Sequence, residues 1–73
     1  MSRSDLPPSR QRVFNESLVI IAKALRNSEA VLAGHEARRL FRENPECGLS
    51  EEDIREHLVQ LAVEKKLAVD TSR

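Results

Sequence analysis

Residues 49–70 read LSEEDIREHLVQLAVEKKLAVD, and this stretch decides the fold class. Ser50 stands where a helix N-cap belongs. Asp53, three residues on, can return a hydrogen bond to the Ser50 N–H, which is the spacing of a capping box with Asp in place of Glu. Glu51, Glu52 and Asp53 suit the positive end of a helix dipole, and Lys65 and Lys66 suit the negative end. Ile54, Leu58, Leu61 and Ala62 recur at helical spacing and predict the buried face. Val59 and Val63 lie on another side and call for a second cover. The alternating LAVD at 67–70 predicts at most a short extended segment, with little elsewhere to pair with it.

Upstream, two prolines close the polar stretch MSRSDLPP, so residues 1–8 are expected to be a disordered tail. Ser9 can cap a helix running to about Arg26. On a helical wheel Phe14, Leu18, Ile21 and Leu25 fall in one stripe, widened on one side by Val13, Ile20 and Ala24. An apolar arc this wide implies a central helix or one shared with a partner. Residues 26–45 allow two readings. Either Ser28 caps one helix through Asn44, or Val31 and Leu32 form a brief extended piece and a helix begins near Gly34 and His35. Both put Ala37, Leu40 and Phe41 in the core and leave Arg38, Arg39 and Arg42 outside or to the side. Asn44 before Pro45 ends that helix, because the residue before proline avoids helical angles. PECG at 45–48 reads as a turn.

Composition narrows the function. The 73 residues make one small domain with a thin core. Phe14 and Phe41 are the only aromatics, too few for a base-stacking surface. A single cysteine, Cys47, allows no internal disulfide and fits a reducing compartment. The apolar run LVIIA (18–22) is too short to span a bilayer, so a cytoplasmic protein with no membrane partner is expected. Twelve basic and twelve acidic side chains cancel, which removes any global attraction to nucleic acid. They are unevenly placed: residues 1–45 carry eight basic and five acidic groups, and residues 46–73 carry four and seven. A chain so divided can pair with itself or with another charged partner.

Catalysis finds little support. His35, His57 and Cys47 are scattered and lack metal-ligand spacing. Asp53 one turn before His57 suggests a surface contact between them. No glycine-rich phosphate loop exists. Glu46 beside Cys47 disfavours a thiolate. The expectation is no catalytic, cofactor or metal site.

From Gly34 onward the order is helix, turn, capped helix and short extended end. With GLSEEDIREHLVQLAVEKKLAVD, residues 34–70 resemble the helix-turn-helix core of bacterial winged-helix regulators, without the wing. The resemblance covers about half of the chain; where that family usually carries a glycine, this chain has Lys66. It implies that the last helix presents its N-terminal residues to DNA. Here those residues are Glu51, Glu52, Asp53 and Glu56, which the phosphate rails would repel. Arg55 and Gln60 offer donors. A nucleic-acid surface would rest on Arg38, Arg39, Arg42 and Arg55, helped by Arg3, Arg10 and Arg12, unless these arginines are solvated or pair with the acidic helix.

The sequence therefore predicts an all-α bundle of three or four short helices over residues 9–70, helix-turn-helix-like in its second half, with residues 71–73 disordered. The expected function is a non-catalytic protein–protein interaction or regulatory module of bacterial type. Its partner would be another protein or a second copy, met at Val13, Ile20 and Ala24, with Val59 and Val63 as a further surface. DNA-binding regulation is the alternative.

Overall fold

A computed structural model describes residues 8–70. The tail and C-terminal expectations, and Arg3, otherwise lie outside those residues. The order is α1 (Pro8–Asn27), β1 (Val31–Leu32), α2 (Ala33–Glu43), α3 (Glu51–Glu64) and β2 (Val69–Asp70). This is a small helical domain with a two-stranded parallel sheet of two residues per strand. Pro8, expected in the tail, is the first residue of α1. Proline suits that place, because its missing N–H has no helical partner there and its φ is already helical.

The helix ends follow local chemistry. Ser50 Oγ accepts from Asp53 N at 3.0 Å, and Ser50 N donates to Asp53 Oδ2 at 3.1 Å. The capping box is complete, so Asp serves where Glu is usual. α2 stops at Asn44, whose N–H returns to Leu40 O at 2.9 Å and whose Nδ2 reaches the same oxygen at 3.1 Å. Asn44 Oδ1 is buried without a hydrogen-bond partner, a local cost of about 1–3 kcal/mol.

Residues 28–33 resolve in favour of the extended reading. Ser28 caps nothing; it closes α1 in the left-handed region, with φ 54°, and Glu29 N bonds back to Ala24 O at 3.0 Å. α3 ends the same way. Lys66 has φ 59°, and Leu67 N bonds to Ala62 O at 2.8 Å. Both are six-to-one helix terminations, a place usually given to glycine because other residues are strained there. Each sends the chain from a helix into a strand. Val31 N donates to Ala68 O at 2.8 Å, with Val31 opposite Val69 and Leu32 opposite Asp70. The partner of LAVD is thus the brief extended piece Val31–Leu32, far upstream in the chain.

The core has two parts. Val13, Ala33, Ala37, Leu40, Cys47, Ile54 and Leu58 form the larger one, covered by Ile20, Phe41, Leu49, Val59 and Val69. Ile21, Ala24, Val31 and Ala62 form the smaller, covered by Leu61 and Leu67. α3 buries Ile54, Leu58 and Ala62 as its spacing predicts, while Leu61 is half-buried. The turn between α2 and α3 is tied to the start of α1. Arg10 Nε donates to Cys47 O at 2.9 Å and Nη2 to Gly48 O at 3.3 Å. Gly48 has φ 80°.

Candidate functional site

α1 is turned differently from its sequence expectation. Val13, Ser17, Ile21 and Ala24 are its buried residues. They follow an i, i+4, i+8, i+11 spacing, which is one helix face. The Ser17 hydroxyl donates to Val13 O at 2.8 Å, so this polar residue is satisfied by its own helix and behaves as a small filler. Leu18 and Leu25 were expected inside, yet they are 57% and 46% exposed. Val19 is 57% exposed on another side of the helix.

This rotation corrects the expected partner surface. Val13 and Ala24 are buried core residues and present nothing to a partner. Ile20 is half-buried against both parts of the core. It borders a groove of about 300 Å³ between α1, β1 and α2, rimmed by Glu16, Lys23, Glu29 and Arg39. Val59 also packs on the core, whereas Val63 is 62% exposed. The physical reason is size. α1 meets its neighbours through the face of Val13, Ser17, Ile21 and Ala24, where the small Ser17 and Ala24 permit close approach, and its two leucines are left outside.

The outward stripe of α1 therefore holds Leu18, Ala22 and Leu25, all exposed. Their spacing of four and then three residues is that of a helix–helix seam. Phe14 extends the stripe toward α3, where its ring meets His57 at 5.1 Å between centroids and 55° between planes. His57 is thus a packing partner of Phe14. Its expected contact with Asp53 is replaced, since Asp53 caps α3 instead.

The arginines are largely spoken for. Arg39 donates to Glu36 at 2.8 and 3.0 Å and to Glu43 at 3.3 Å. The hydrogen bond to Glu36, reinforced by the charges of Glu36, Glu43 and Glu16, raises the pKa of Arg39 and outweighs its partial burial. Arg55 reaches Glu52 at 3.3 Å, and Arg38 approaches Glu51 at 3.7 Å. The acidic start of α3 thus draws in two of the cations that a nucleic-acid surface would use. Arg42 is exposed and has no ion pair among the described residues. Arg10 acts as the clasp on the α2–α3 turn.

Cys47 is fully buried, with its thiol 3.6 Å from Leu49 O. Among the described residues no group of three His, Cys, Asp or Glu side chains is placed to hold a metal ion, and no helix is long and apolar enough to cross a membrane. Sequence reasoning missed Leu18 and Leu25 as surface residues. The available signal was the row of small side chains, Ser17 and Ala24, beside Val13 and Ile21. Comparison with known protein families, curated proteins and solved structures finds no match.

Proposed function

We propose that the chain is a small non-catalytic interaction module, cytoplasmic and of bacterial type, which acts by docking the outward stripe of α1 on another protein surface. One observation carries this reading: Leu18 and Leu25 stand 57% and 46% exposed on the same stripe, while Leu40, Ile54 and Leu58 are fully buried in the core. Adjacent exposed leucines on one helix stripe mark an interaction site more often than scattered apolar residues do. A regulatory role would follow from the partner that the stripe selects.

The test compares wild-type protein with the double variant Leu18→Glu, Leu25→Glu. Both sites are exposed, so the variant should keep its helical circular dichroism and unfolding midpoint. Cross-linking in cell extract should place contacts, to another protein or to a second copy, along α1 of the wild type and lose them in the variant. Identical cross-linking patterns would sink the reading.

One observation favours the alternative of a DNA-binding regulator resembling the winged-helix family. The order of elements is helix, strand, helix, helix, strand, with the two strands paired. Against it stand the acidic start of α3 and the ion pairs of Arg38, Arg39 and Arg55. The expected outcome of titrating mixed-sequence duplex DNA at low salt is a flat set of amide shifts. Shifts at Arg38 and Arg42 that fade as salt rises would instead support a nucleic-acid role.

A further inference from the structure

We infer that the outward stripe of α1 docks on α3 of a second copy of this chain, and that α1 of that copy docks on α3 of the first. This inference rests on the interaction-module reading and names its partner.

The two helices carry opposite charge. α1 holds Arg10, Arg12, Lys23 and Arg26 against Glu16, while α3 holds Glu51, Glu52, Asp53, Glu56 and Glu64 against Arg55. Some of these charges are already engaged, notably in the Arg10 clasp and the α3 cap. Arg26 on α1 and Glu64 on α3 are exposed and make no ion pair among the described residues. They are unspent complementary charges on neighbouring helices.

The levels of the helices match as well. Phe14 lies beside His57. Further along, Ile21 and Ala24 share one core cluster with Leu61 and Ala62. α1 and α3 therefore run in the same sense, and Arg26 near the end of α1 is about level with Glu64 at the end of α3. Two symmetric face-to-face contacts are available to such a pair of helices. A two-fold axis across the helices lays α1 on the partner's α1, cation against cation. A two-fold axis along them lays α1 on the partner's α3 and keeps every residue at its own level. The second arrangement sets Arg26 against the partner's Glu64 and Leu18 against the flank beside the partner's Leu61. Symmetry makes each contact twice.

The size of the face sets the expected strength. A helix of 20 residues is about 30 Å long. With the shorter α3 beside it, the face offers several hundred Å² per copy, somewhat below the ~800 Å² of a standard stable interface. The dimer is expected to be weak, with a dissociation constant on the order of micromolar to hundreds of micromolar.

Sedimentation velocity on the full chain, from about 10 μM to about 1 mM, provides the test. The wild type should pass from monomer to dimer across that range. Arg26→Glu should weaken the dimer about tenfold, since two symmetric pairs become repulsive. Adding Glu64→Arg to that variant should restore it, and Leu18→Glu should abolish it. All three variants are read by circular dichroism to confirm retained folding. A wild type that stays monomeric throughout would overturn the inference, as would a dimer that Arg26→Glu weakens but the double reversal does not restore. If the wild type is monomeric while its cross-links to another protein still depend on Leu18 and Leu25, the self-pairing fails and the interaction-module reading stands.

Discussion

Leu40→Ala should lower the free energy of unfolding by about 2–5 kcal/mol, whereas Leu18→Ala should change it by less than about 0.5 kcal/mol. Leu40 is fully buried in α2 within the larger core cluster. Its truncation removes apolar contact and leaves a cavity that a thin core fills poorly. At about 4–8 °C per kcal/mol for a domain of this size, the melting temperature should fall by roughly 8–40 °C. Leu18 is mostly in water already, so removing it costs the monomer little. Thermal melts at low protein concentration measure both, and low concentration keeps self-association out of the comparison. Equal losses for the two variants would mean that α1 does not present the Val13, Ser17, Ile21 and Ala24 face to the core.

Gly48→Ala should destabilise by about 1–2 kcal/mol from backbone strain alone, because φ of 80° is a region where a Cβ crowds the following carbonyl. A Cβ there would also collide with the Arg10 guanidinium, so the substitution further disturbs the clasp to Cys47 O and Gly48 O. Arg10→Ala on its own should cost about 1 kcal/mol or more for the lost charge-assisted bonds. The two should not add. With Arg10 already removed, Gly48→Ala should cost only its strain, and the shortfall should exceed about 0.5 kcal/mol. Urea unfolding of the four proteins in this cycle measures it. Strict additivity would show that the clasp contributes nothing in solution.

Both predictions concern joints between α1 and the rest of the chain, where the sequence was hardest to read. The second half was legible. Ser50 and Asp53 cap α3 as their spacing implies, Asn44 before Pro45 stops α2, and Ile54, Leu58 and Ala62 are buried. These are signals between residues at most four positions apart or within one helix stripe. They act before any tertiary contact exists, so they can be read from the chain alone.

The orientation of α1 was not legible, and the candidate site went with it. A helical wheel weights Phe14, Leu18, Ile21 and Leu25 by hydrophobicity and turns that stripe inward. Packing weights closeness of approach, and Ser17 and Ala24 allow it on the neighbouring face. Val13 and Ala24 thereby moved from a proposed surface to the core, and Leu18 and Leu25 moved out.

What the sequence determined by itself is the helical class, the end of α2, the start of α3 and the buried face of α3, because caps, prolines and helical periodicity are local. What only the tertiary structure decided is the roll of α1, the pairing of Val31 and Leu32 with Val69 and Asp70, and the engagement of Arg10 and Arg38. The strands pair because α1 and α3 lie in the same sense and end alike, each releasing its chain toward the other. The arginines Arg10 and Arg38 find acceptors that chain distance hides. Those contacts depend on which elements meet in space, and no local pattern in 73 residues carries that information.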